Sequence, residues 1–74
     1  MTGAWLEAAE HLEAVITLNP SHSRAYAYRG LTCAQLGNTD AALADLDRAK
    51  SLAEDLETVN LVEDFLRTVR ELGG

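Results

Sequence analysis

This chain has one cysteine, one proline, one phenylalanine and one tryptophan in 74 residues, and six basic side chains against twelve acidic ones. Each shortage excludes something. Cys33 has no partner for an intramolecular disulfide, so this is not a small domain held by covalent staples, and nothing points to secretion. With a net charge of −6 and no basic cluster, the chain lacks the face that neutralises phosphates. That removes nucleic acid as a partner, weakens a helix-turn-helix reading of residues 23–53, and disfavours an anionic membrane surface. No apolar run approaches the roughly 20 residues needed to cross a bilayer. No basic segment followed by an apolar stretch opens the chain as a signal peptide does. The expected location is cytoplasmic.

What remains is apolar and rich in alanine. Hydrophobic residues make up 47% of the chain and charged ones 24%, a balance that supports a folded domain over a disordered one. The length allows a single domain, 1–74. A chain of this size buries only roughly 60% of its unfolded surface, so its core is small.

The stretch from Ser23 to Glu54 organises the rest. It reads as two short amphipathic helices folded back on each other at Leu36-Gly37-Asn38. In the first, Tyr26, Gly30, Cys33 and Gly37 recur at helical spacing and share a face; in the second, Ala42, Leu46 and Ala49 do the same. Glycine inside a helix costs about 1 kcal/mol relative to alanine. Gly30 therefore predicts a neighbouring helix so close that no side chain fits.

This pattern resembles the tetratricopeptide repeat, whose outline is an aromatic, a Leu-Gly pair, a second aromatic, and later Ala, Phe and Pro. Here the slots hold Tyr26, Arg29-Gly30, Cys33, Ala42, Leu46 and Glu54. Arg29 stands in place of a leucine, Cys33 of a large aromatic and Glu54 of the terminal proline. A second landmark agrees on the register: Gly3 and Gly37, Ala8 and Ala42, Leu12 and Leu46, and Leu18 and Leu52 are each one period of about 34 residues apart. Asn19-Pro20 stands where a preceding repeat would end. The resemblance covers Gly3 to Glu54 and implies an all-α fold of antiparallel helix hairpins with four helices. Residues 2–19 are then the second helix of a partial repeat and 23–54 a complete repeat. Residues 55–72 form a capping helix, because Glu63 and Asp64 fall where the next Leu-Gly pair would be.

Local signals fill in the boundaries. Thr2 is a candidate N-cap for the first helix, Ser21 or Ser23 for the second and Thr39 or Asp40 for the third. The helices are expected over residues 2–18, 23–37, 39–53 and 55–72. Trp5, Leu12 and Ile16 centre a broad apolar stripe on the first helix, part of which the absent first helix of its repeat would cover. The last helix has an apolar arc of roughly 160°, wider than the 100° one packing face needs, which predicts two neighbours with only one supplied by the chain.

Chemistry is sparse. His11 and His22 lie on either side of a proline turn rather than a helical turn apart, so no metal site is expected. Cys33 falls on the buried stripe and reads as a small hydrophobe rather than a nucleophile. Carboxylates such as Glu7, Glu10, Asp47 and Glu63 fall on outward positions and form no acid–base pair, and no glycine-rich phosphate loop exists. The expectation is a non-enzyme without cofactors. Arg29 is expected to lay its stem along the core and pair its head with an acidic residue such as Asp45.

Function is then expected at a surface. The first helix of each repeat in this family lines a concave, peptide-binding side, which carries over here to Arg24, Tyr28, Leu31 and Gln35. The same Tyr28 and Leu31 would serve equally to pack under the last helix. Only Arg24 could belong to the basic clamp with which chaperone-tail-binding members hold a carboxylate, so such binding is not expected. A second surface, Trp5, Leu12, Ile16, Phe65 and Val69, is expected to serve self-association into a homo-oligomer. The overall expectation is a protein–protein interaction scaffold for a protein or peptide partner. The alternative is an excised or accessory piece of a larger regulator or enzyme.

Overall fold

Four helices, α1 (Thr2–Leu18), α2 (Ser23–Gln35), α3 (Thr39–Leu52) and α4 (Leu56–Gly73), follow one another through turns of a few residues. The computed structural model describes residues 2–73, with side chains from 4 to 72, and contains no strand among them. The all-α class read from the periodicity is the observed one.

The direction of each helix follows from its cross-links. At one end of the α2–α3 pair the Ser23 hydroxyl donates to the Ala49 carbonyl at 2.6 Å, and midway Arg29 pairs with Asp45, so the two helices run antiparallel. Arg24 faces Glu57 and Tyr28 faces Phe65, steps in the same sense along both helices, so α4 runs parallel to α2. Helix α4 packs on both α2 and α3, whereas α1 packs on α2 alone. The wide apolar arc of α4 is thus explained inside the chain: both of its neighbours are present, contrary to the expectation that one would be missing. Nor does α4 fold over α1.

The core is small and built mostly from short side chains. Ala27, Ala42, Leu46, Ala49, Val62 and Val69 are fully buried, with Tyr26, Cys33, Phe65 and Leu66 packed around them. Leu46, Val62 and Val69 are the largest fully buried side chains. Each contributes about 1.5–3 kcal/mol through burial. Alanine elsewhere lets helix axes approach. Gly30 takes this furthest: a Cβ there would lie 2.9 Å from the Ala42 carbonyl oxygen and 2.9 Å from Leu46 Cγ. The close approach read from its place in a helix is what the structure contains.

The helix ends differ from the sequence reading in detail, and each difference has a local cause. Helix α2 is capped by His22, whose Nδ1 accepts from the Ala25 amide at 3.1 Å, rather than by Ser21 or Ser23. Ser23 already lies in the helix, where its hydroxyl is committed to α3. Asn38, not Thr39 or Asp40, caps α3, through Oδ1 to the Ala41 amide. Helix α2 ends at Gln35 rather than Gly37, because Gly37 adopts a φ of 87°, the left-handed turn that reverses the chain. Asp55 does not begin α4 but caps it, accepting from both the amide and the hydroxyl of Thr58. The capping role expected of Thr2 lies outside the described side chains. Among the described residues, no helix is long and apolar enough to cross a membrane.

Candidate functional site

Between α2 and α3 the structure places a compact charged cluster. Arg29 donates through Nε and Nη2 to the two carboxylate oxygens of Asp45, at 2.9 and 2.8 Å. Its guanidinium carbon lies 5.4 Å from the centre of the Tyr26 ring. The hydrogen bonds to Asp45 raise the guanidinium's pKa further, against a smaller opposing effect of burial. The guanidinium is therefore held charged and geometrically fixed on two faces, by the fork to the carboxylate and by the stack on tyrosine. The partnership expected from Arg29 and Asp45 is present. It holds α2 and α3 together at mid-length. Cys33, half-buried nearby, has its thiol pKa pushed up mainly by burial, which keeps it protonated at neutral pH.

The outward face of α2 holds the four residues expected to bind a peptide, but α4 engages part of it. Arg24 reaches Glu57 at 3.9 Å, an exposed and weak pair. The Tyr28 ring meets Phe65 edge-on, with centroids 5.4 Å apart, and remains 44% exposed. Leu31 is half-buried and Gln35 exposed. Tyr28 thus both packs under α4 and presents a free edge, so the face is an aromatic ledge built by α2 and α4 together. Phe65 belongs to that ledge, and its contribution there was not legible from the spacing of α2.

The residues expected to mediate self-association separate into three groups. Val69 is fully buried within the chain, so it belongs to the intramolecular core and is withdrawn from that surface. Phe65 is half-buried against the core on the Tyr28 side. Trp5, 37% exposed, and the half-buried Leu12 and Ile16 lie on α1. They are not brought together with Phe65 and Val69, because α1 touches neither α3 nor α4.

Helix α1 is the least covered element. None of its side chains from Ala4 to Leu18 is fully buried, and Leu6 is 54% exposed. Its stripe is half-buried against α2 at Ala8, Ala9, Leu12, Val15 and Ile16. The contrast with α3 is direct. Ala42, Leu46 and Ala49 stand about 34 residues after Ala8, Leu12 and Val15, and they are fully buried between two helices. Similar side chains thus sit in a one-sided environment on α1 and a two-sided one on α3.

A third surface was missed by the motif reading. The outer groove between α3 and α4 has Leu43 and Leu66 at its floor and Lys50, Arg67 and Arg70 on its rim, with Asp47 and Glu63 beside them. In the sequence Lys50, Arg67 and Arg70 stand only as basic residues in the later part of their helices. Only the packing of α4 on α3 brings them to one place. No family model matches the chain, and no curated protein or solved structure is similar to it at a level that establishes a relationship.

Proposed function

We propose that this chain is a non-catalytic protein–protein interaction scaffold of the tetratricopeptide-repeat type, whose exposed helix faces hold a partner helix, a peptide or a second copy. One observation carries the reading: α1 presents to one neighbour the side chains that α3 presents to two. An amphipathic helix covered on one side leaves apolar area in water at about 25 cal/mol per Å², and a partner helix laid on it recovers that area. The repeat type is supported by the antiparallel α2–α3 pair closed at Gly30, by the period of about 34 residues, and by an α4 that returns parallel to α2.

The test is backbone hydrogen exchange across a concentration series, with and without peptides selected by display against the folded chain. Under this reading α1 exchanges fastest among the four helices in dilute solution. It becomes protected as the concentration rises or as a selected peptide binds, and Leu6→Gln, at an exposed position of α1, removes that protection while leaving α2–α4 unchanged. An α1 whose exchange responds to neither overturns the reading.

A further inference from the structure

Two partly uncovered surfaces of the molecule differ in charge, one purely acidic and the other holding half of the basic residues. Helix α1 has Glu7, Glu10 and Glu13 and no lysine or arginine, and the chain's first basic residue is Arg24. At the far side, Lys50, Arg67 and Arg70, half of the chain's six basic residues, rim the groove over Leu43 and Leu66. With Asp47, Glu63 and Asp64 beside these three cations the groove is balanced in charge, on a chain whose net charge is −6. Lys50 reaches Glu63 only at 3.7 Å, and Arg67 pairs with Asp64 at the exposed surface. Arg70 forms no ion pair among the described residues. Such exposed pairs exchange partners at little cost.

Apolar matching points the same way. Helix α1 lacks the second cover that α3 receives from α4. An α1 lying against the α3/α4 groove of another molecule would be enclosed by its own α2 on one side and by a foreign α4 on the other, which is the surrounding α3 has. We propose that the chain self-associates head to tail, α1 of one copy lying in the α3/α4 groove of the next, with Glu7 and Glu10 toward Arg67 and Arg70. Leu6, 54% exposed and on the same side of α1 as Glu7 and Glu10, supplies the hold against Leu43 and Leu66, and the charges fix which surface meets which. The contact uses two different surfaces, so each added copy leaves one of each free. Growth is then open-ended with concentration rather than stopping at a symmetric pair. It weakens as salt screens the exposed charges.

This inference rests on the scaffold reading but fails separately from it: protection of α1 by a peptide with no self-association would leave the scaffold standing and remove the head-to-tail contact. The experiment is light scattering of the full chain across a concentration series at low and high salt, for wild type, Glu7→Lys/Glu10→Lys and Arg67→Glu/Arg70→Glu, with circular dichroism confirming that each variant keeps its helices. The substituted side chains are exposed, so the fold does not depend on them. Wild type is expected to rise above twice the chain mass of 8.0 kDa at low salt and to fall back at high salt. Each variant alone stays at the chain mass, because like charges then face each other. The two variants mixed in equal amounts recover association, because the basic α1 of one fits the acidic groove of the other. A wild type that remains monomeric up to about 1 mM, beyond which association is weak, overturns the proposal. So does a groove variant that still pairs, as an α1-to-α1 contact would allow, or a mixture that fails to recover.

Discussion

Replacing Gly30 by alanine sets two opposed effects against each other at one methyl group. In an exposed helix this change is favourable by about 1 kcal/mol, from propensity alone. Here the added Cβ would stand 2.9 Å from the Ala42 carbonyl oxygen, 2.9 Å from Leu46 Cγ and 3.2 Å from Asp45 Cβ. The leucine can rotate away, but the carbonyl belongs to the α3 backbone, so relief requires α3 to move off α2. Overpacking of this kind costs about 1–3 kcal/mol, and a backbone contact places it in the upper part of that range. The movement also stretches the two hydrogen bonds from Arg29 to Asp45. Net destabilisation of about 1–2 kcal/mol remains after subtracting the propensity gain. For a domain of this size it lowers the melting temperature by roughly 4–15 °C. Thermal and urea unfolding followed by circular dichroism measure it. Gly37→Ala is the control, because nothing lies within 4 Å of a Cβ there and its φ of 87° makes backbone strain the sole cost. Gly37→Asn, which tolerates the left-handed region, should therefore recover part of the loss at that site, whereas at Gly30 no larger residue recovers anything. A Gly30→Ala protein that melts higher than wild type would refute the close-packing argument.

Three further outcomes are expected. Asp45→Ala leaves the half-buried Arg29 guanidinium without its acceptor and destabilises by about 1.5–3 kcal/mol, while the double change Arg29→Leu/Asp45→Leu costs less than the two single changes summed, as a double-mutant cycle of urea midpoints would show. Asp55 has its pKa lowered, first by the side-chain hydrogen bond from Thr58 and then by the Thr58 amide; its contribution is therefore complete above the ordinary carboxylate value of about 3.9 and is lost as the pH falls through the lower folded value. Asp55→Asn should accordingly narrow its stability difference from wild type as acid is added, and a difference that widens would contradict the cap. Cys33 should react slowly with a disulfide reagent at neutral pH in the native protein and rapidly once denaturant passes the unfolding midpoint, since burial holds its thiol protonated.

Helix class, order and the crowding at Gly30 were legible because each rests on local spacing, which a single chain displays in full. The pairing of Arg29 with Asp45 was legible too, since a basic residue beside the close-packed glycine has few places to reach once the turn at Gly37 fixes which residues oppose it. The caps were not. His22 and Asn38 each won over neighbouring serine, threonine or aspartate because the chain enters its helix one residue away from where preference alone would put it. Val69 shows a different limit. It shares a helix with Phe65, but whether an apolar position faces a neighbour inside the chain or outside depends on how α4 tilts against both α2 and α3, which periodicity does not encode. The groove between α3 and α4 needed the same tertiary information.

The buried residues of α2 are Ala25, Ala27, Gly30 and Thr32, spread over two opposite faces, and α2 is in contact with all three other helices. Almost nothing among them can be shortened. An alanine scan, the usual way of ranking positions, would pass over Ala25 and Ala27 by definition, perturb Gly30 through addition rather than loss, and trim only Thr32 among them. It would under-report how closely the most connected helix is packed. Sensitivity at these four positions is directional: they offer little to delete, and they resist enlargement. A scan to leucine or valine would draw the opposite map, and the distance between the two maps measures how much of this architecture depends on what is absent from its middle.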